Sequence, residues 1–431
     1  MFIPEALVHN HLTSVSAVLL RTTNDQGIYH IVNFLYRYPF IKEITIYNLV
    51  PTPLDPNAFQ RPNPSLIHPV SLHLYDAPPE SDQDGLTSLF SSCALSTFTI
   101  CYIQDDRAFN LFMDSLYYHA QRYPDWIHAN TRTEEYLMHR RWQLDYNDES
   151  VPIHTGFANV RHGAMIPRSR AQQFVNQLSV KVLPFYQRQK ADALFALWSN
   201  SNPVLLSNPL PMTATNPLAL QTMKEGVDLL ATALKQHLPY FAPHDKDNSL
   251  QDRDVRTSCG NDKCLFVTNI DPFPTSLPYD PEQQVSNSSL GSVQLWRDEK
   301  GAHLPSPEFW IYRGYHAAVD SHTGTCWNTF REPGPGDYFG LDLIGNMHMQ
   351  RLVIYSRQEV DADLFQLTAN HYDEWNDCDL TMDADQSIER RAVFNVQCPV
   401  GYPASAIRIF FRKQMTMPFD LCGLSIDNFN L

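Results

Sequence analysis

The 431-residue chain is poor in glycine, with 16, and in basic residues, with 32 Lys and Arg against 47 Asp and Glu. A net charge of −15 excludes phosphate-backbone binding as the main task, because that task needs clustered cations; no nucleic-acid partner is expected. No apolar run reaches the roughly 18 residues of a membrane span, and the N-terminal stretch lacks a basic segment followed by an apolar core. Neither a membrane span nor a targeting segment is therefore expected in this chain. None of the eight cysteines forms a CxxC pair and the 17 histidines contain no HExxH, so zinc and thioredoxin-type chemistry have no support.

What is present is core material. Hydrophobic residues make up 43% and charged residues only 18%, which predicts folding throughout, with two or three cores for this length. The cysteines (Cys93, Cys101, Cys259, Cys264, Cys326, Cys378, Cys398 and Cys422) could be buried thiols or disulfides. Cys259 and Cys264 favour oxidation, because CGNDKC is too polar to bury two thiols for packing alone. A glycosylation sequon at Asn287 adds a second sign of a secretory compartment.

Residues 15–20 form an apolar run ending at Arg21-Thr22-Thr23-Asn24, and 28–38 repeat apolar groups at helical spacing up to Pro39. Residues 41–48 then read as a strand ending at Asn48, and Val70 to Tyr75 as another. Strand, helix, strand predicts a parallel α/β sheet with ligands at the carboxyl ends of its strands. A buried strand, 96–103, runs into Gln104-Asp105-Asp106, followed by a helix from about Ala108 to Tyr123. Thr222 to Leu238 reads as an amphipathic helix. From about Leu290 the pattern changes to short runs, 293–296, 309–312, 338–343, 352–355, 393–396 and 407–411, which predict a β-sandwich without a convincing helix. The expected division is 1–275 for the α/β domain, 276–290 for a linker and 291–431 for the sandwich.

Two adjacent carboxylates at a strand end are hard oxygen ligands, suited to Mn²⁺ or Mg²⁺ and, through the cation, to a diphosphate. The plainer alternative is a turn with a helix cap. LLRTTND, ITIYN, CYIQDD and HTGFANVRHGAMIPRSRAQQF, in this order over about 13 to 200, resemble the GT-A-fold glycosyltransferases, most closely the exostosin-like N-acetylhexosaminyltransferases. The resemblance implies a Rossmann-like domain that binds a nucleoside-diphosphate sugar and transfers the sugar to a glycan acceptor. By position it makes Asp106 the metal ligand, Asp105 the acid beside the donor, Asn48 a base contact and Asp192 the catalytic carboxylate. Arg21, Asn24 and Gln104 complete the expected donor site. Gln104, Asp25 and Ala191 depart from the family pattern, and they support an alternative, a non-catalytic carbohydrate-binding protein on a degenerate transferase domain.

Asp262, held between two cysteines, competes with Asp192 as catalytic carboxylate, and His154 and Trp142 are candidates for an acceptor groove. GDYFGLDL and the late IRIFF strand resemble the discoidin-type, galactose-binding-like domain of the N-glycan-branching N-acetylglucosaminyltransferases. Retention follows from the first resemblance and inversion from the second. A Cys326–Cys422 bridge would span the sandwich, and Tyr372 and Trp375, on end loops with Asp361, Asp363, Asp373, Glu374, Asp377 and Asp379, would line a glycan pocket. Both resemblances imply the secretory pathway, the Golgi lumen in particular.

Overall fold

The computed structural model describes residues 12–23, 26–59, 69–76, 85–140, 142–146, 151–181, 190–211, 220–242, 253–273, 276–278, 307–361, 363–371, 374–399, 403–427 and 429–430. The expected positions Asn24, Asp25, Asn287, Tyr372 and Asp373, and the 293–296 run, lie outside them.

The first part of the chain runs β1 (Val15–Arg21), α1 (Gly27–Leu35), β2 (Ile41–Asn48), β3 (Ser71–Asp76), α2 (Gly85–Leu95), β4 (Ile100–Asp105), α3 (Met113–Arg122), β5 (His128–Arg132) and α4 (Thr133–Arg140). It continues through β6 (Leu144–Tyr146), β7 (Ile153–Thr155), β8 (Ala164–Pro167), α5 (Arg168–Val180), α6 (Ala191–Trp198), β9 (Val204–Asn208) and α7 (Leu220–Lys235). Seven strands form one sheet in the order β3-β2-β1-β4-β8-β5-β9. All neighbours are parallel except at β8, which runs against both β4 and β5. Both faces are covered. Val15, Ala17 and Leu19 of β1 pack on the α1 and α3 side, and Val18 and Leu20 on the α2, α5 and α6 side, as alternating side chains of a central strand must. Helix α1 forms because Ile28, Ile31, Val32 and Leu35 recur at one-face spacing, and all four are buried.

The second part comprises β10 (Val255–Ser258), β11 (Cys264–Thr268), β12 (Leu277–Pro278), α8 (Pro307–Arg313), β13 (Trp327–Asn328), β14 (Tyr338–Met347), β15 (Arg351–Ser356) and β16 (Phe365–His371). It ends with β17 (Glu374–Met382), β18 (Arg391–Gln397), β19 (Ala404–Phe411), β20 (Asp420–Ile426) and β21 (Phe429–Asn430). Eleven of these strands make one antiparallel sheet, in the order β10-β11-β14-β19-β16-β17-β18-β15-β20-β13 with β21 beside β20. The sheet curls over an aromatic core of Trp327, Phe339, Phe365, Phe411 and Phe419. The chain thus combines a Rossmann-type, mostly parallel α/β sheet with a curled antiparallel sheet, as the sequence led one to expect.

Some local expectations are corrected. Residues 309–312 are helical, within α8: Pro307 starts the helix, Glu308 and Arg313 suit its two ends, and Trp310 is fully buried. Four consecutive apolar residues carry no period, so strand and helix look alike there. Glu374, Trp375, Asp377 and Asp379 stand on strand β17 instead of in end loops. The β10–β11 hairpin, which precedes the expected linker, is hydrogen-bonded into the second sheet through β14.

All eight cysteines are paired, as Cys93–Cys101, Cys259–Cys264, Cys326–Cys422 and Cys378–Cys398. Four disulfides are consistent with a secreted or lumenal protein, since disulfides persist in oxidising compartments. Among the described residues, no helix is long and apolar enough to cross a membrane.

Candidate active site

Strand β1 lies between β2 and β4, so the chain reverses its direction of travel across the sheet at this point, and a crevice opens at the carboxyl ends of β1 and β4. The register sets Arg21 beside Asn48 and Leu20 beside Asp105. The turns beyond these strands carry Thr22 and Thr23 on one side and Asp106 and Arg107 on the other.

Asp106 accepts four hydrogen bonds. Its Oδ1 takes the Thr22 amide at 3.0 Å and hydroxyl at 2.7 Å, and Oδ2 takes the Thr23 amide at 2.9 Å and hydroxyl at 2.8 Å. Asp105 accepts the Arg107 amide at Oδ1, 3.0 Å, while its Oδ2 meets Arg161 Nε at 2.8 Å and Nη2 at 2.6 Å. Arg161 also reaches towards Asp192 in the first turn of α6, with Nη1 3.6 Å from Oδ2. Burial works against the Arg161 charge, but Asp105 and Asp192 outweigh it and raise its pKa above the ordinary guanidinium value. One arginine therefore ties the end of β4 to the helix carrying Asp192. It is presented by a tight turn at Val160–His162, capped by Asn159 and followed by Gly163 at φ +101°. A Cβ at Gly163 would come within 2.8 Å of the Tyr102 hydroxyl, so this turn needs glycine on two counts.

Asn48 joins three strand ends: its Nδ2 donates to Asp76 at 2.6 Å and to the Thr52 carbonyl at 3.0 Å, and its Oδ1 accepts the Val50 amide. Arg21 Nη1 donates to the Thr52 carbonyl at 2.7 Å and to Asn48 Oδ1 at 3.4 Å. Gln104 turns inward, donating to the Ala108 carbonyl and accepting from Tyr102, which braces the turn that carries both aspartates.

The other sequence candidates fall elsewhere. Asp262, at φ +56°, accepts the Asp114 amide at 2.7 Å, the Ser115 amide at 3.0 Å and the Ser115 hydroxyl at 2.5 Å. It thus caps α3 from a distant part of the chain, and burial pushes its carboxyl up to about 7. Trp142 is 2% exposed, so no sugar can stack on it. His154, on β7, meets Asn202 at 3.3 Å. Arg161 was missed, although it stands inside the quoted ANVRHG stretch; behind it lies a second unforeseen group, in which Glu135 Oε2 is 3.5 Å from His162 Nδ1 and 4.0 Å from His139 Nε2. Burial raises Glu135 to about 7 and lowers both imidazoles to about 3.

The fit of a divalent cation can be judged from these contacts. An ionised carboxylate has about four lone-pair sites, and Asp106 has all of them engaged. Among the described residues no group of three His, Cys, Asp or Glu side chains is arranged to hold a metal ion. Asp106 as placed does not fit the Mn²⁺ or Mg²⁺ expected there.

Two cavities complete the picture. One of about 750 Å³ adjoins Asp106 and Arg107 and is walled by His30, Phe34, Arg37 and Phe109. Another, of about 610 Å³, lies on the second sheet, where Tyr338, Thr368, Asn370, Trp375 and Arg408 face Arg122 at the end of α3. There Trp375 is 46% exposed, with the Arg408 guanidinium 5.0 Å from its ring centre.

No family profile and no curated protein matches the chain. Among solved structures, it is similar to the mannosyltransferase PcManGT from Pyrobaculum calidifontis in complex with GDP-Man and Mn²⁺, at 14% identity and TM-score 0.31, over 53% of this chain and 65% of that one. It is also similar to glucosyl-3-phosphoglycerate synthase from Mycobacterium tuberculosis, at 11% identity and TM-score 0.30, over 57% and 84%. A third likeness is to CpGH89CBM32-5 from Clostridium perfringens in complex with GalNAc-β-1,3-galactose, at 11% identity and TM-score 0.20, over 26% and 81%. These values are low, and the functional conclusion rests on the side chains at the strand ends.

Proposed function

We propose that the protein is a glycosyltransferase that moves a sugar from a nucleoside diphosphate to a glycan acceptor. The observation that supports it most is the Asp105–Arg161–Asp192 chain at the point where the sheet order reverses, since it fixes one acid at the crevice against a guanidinium and aligns a second from another element. Asn48 would receive the nucleoside, and the cavity of about 750 Å³ beside Asp106 and Arg107 is within the usual range for such ligands. Asp192 would take the proton of the acceptor hydroxyl or stabilise positive charge on the departing sugar, with Arg161 holding its orientation. The proposal extends to location, a Golgi-type lumen oxidising enough to keep four disulfides.

The second sheet would hold the acceptor. Trp375 offers a ring face for a sugar, and Asn370, Thr368 and Arg408 offer hydrogen bonds to its hydroxyls. Turnover of a panel of nucleotide sugars is the test. Asp192→Asn should lower transfer at least about 100-fold with little change in donor KM, and Trp375→Ala should raise only the acceptor KM. Full turnover in Asp192→Asn would refute the assignment. The competing reading, a carbohydrate-binding protein without turnover, draws on the filled lone pairs of Asp106, and glycan binding with no turnover of any donor would establish it.

A further inference from the structure

We infer that this chain binds the diphosphate of its donor through its own guanidinium groups and needs no divalent cation to do so. The inference rests on the donor site just proposed and specifies how that site handles charge. Two of the four hydrogen bonds to Asp106 come from backbone amides, so a cation could take their place only if the turn at the end of β1 opened. Asp105 is scarcely better placed, because one oxygen faces two nitrogens of Arg161 and the other accepts the Arg107 amide. At most one lone pair is left across the two carboxylates.

Positive charge stands on both flanks of the crevice. Arg21 is 4% exposed, and its hydrogen bonds end on the Thr23 carbonyl, Asn48 Oδ1 and the Thr52 carbonyl, all uncharged oxygens. Among the described residues it forms no ion pair with a carboxylate. A buried cation without a counter-charge is held at considerable cost, and an anionic ligand at this strand end would offset it. Arg107, whose Nε donates to Thr22 Oγ1 at 3.1 Å, brings a second guanidinium to the β4 side, at the edge of the cavity of about 750 Å³. The bonds above use Arg21 Nε and Nη1 and Arg107 Nε, so the remaining N–H donors of the two guanidinium groups would meet the phosphate oxygens and neutralise them as a cation otherwise would.

Calorimetric titration of the full chain with uridine and guanosine diphosphates, once in EDTA and once in excess Mn²⁺, tests this. The Kd for whichever nucleotide binds should agree within about twofold between the two buffers, and Arg21→Gln should weaken it at least about tenfold in both. Binding at least about tenfold tighter in Mn²⁺ overturns the inference while leaving the donor site in place. Absence of binding in both buffers refutes the donor site itself, and this inference with it. Electron paramagnetic resonance supplies a reading that needs no variant to fold: the signal of aqueous Mn²⁺ should persist at full strength in the presence of the nucleotide-free protein. A loss of signal that Asp106→Asn restores would equally overturn the inference.

Discussion

The strand ends of the first sheet and the interior of the second are held together by opposite means. At the strand ends, Asp105, Asp106, Arg161 and Asn48 are buried polar groups whose partners lie far off in sequence, and each bond depends on direction. Inside the second sheet, Trp327, Phe339, Phe365, Phe411 and Phe419 fill space, and the Cys326–Cys422 and Cys378–Cys398 bridges close its loops. A charged network positions groups but is sensitive to protons and to the loss of one partner. An apolar, cross-linked core tolerates both and positions little.

The largest effect should come from the cross-link. Cys326 and Cys422 are 96 residues apart, and closing so long a loop is worth about 4–5 kcal/mol in the chain-entropy account. The Cys326→Ala/Cys422→Ala variant should therefore lose about 4 kcal/mol in denaturant unfolding, yet bind nucleotide normally at temperatures where it stays folded. A nucleotide defect in the folded variant would break the comparison.

Next comes pH, which should act on the first region. Burial lowers His128 to about 4 and His139 and His162 to about 3, and it lowers His119 well below 6.5. The unfolded chain then binds more protons at these four sites, and stability falls as pH drops from about 6.5 towards 4. Glu135 and Asp262, raised to about 7, act the other way, because the folded chain keeps them protonated where the unfolded chain does not. Among these six groups the four histidines outnumber the two acids, so stability near pH 5.5 should rise with pH. Thermal melts from pH 5 to 6.5 would show it, and a flat profile would mean that these groups exchange protons freely with solvent.

The smallest of the three effects is Asp262→Ala. Removing the cap of α3 leaves two amides without their acceptor and should cost about 2 kcal/mol. Asp262→Asn, which keeps an acceptor oxygen, should recover part of that loss.

The apolar run of β1, the one-face spacing of α1 and the run from β4 into Asp105 and Asp106 were legible in the sequence because each is a property of neighbouring residues. What Asp106 does was not. Its donors lie 84 and 83 residues earlier, and only the folded strand order brings Thr22 and Thr23 to it. The same holds for Arg161, whose partner Asp105 lies 56 residues away, and for Asp262, 148 residues from the helix start it caps. Trp142 failed for the opposite reason, since an indole suited to a sugar is equally suited to a core.

The β10–β11 hairpin makes the two regions awkward to separate. On one side Thr257 and Ser258 bond to Ser207 and Asn208 at the end of β9, and on the other β11 takes β14 as its neighbour. A chain cut after residue 290 would keep the hairpin but lose β14, leaving the apolar Leu265-Phe266-Val267 stretch of β11 as a bare edge. Such an edge is a template for pairing with another molecule. During synthesis the same exposure lasts from the emergence of β11 until β14 follows it.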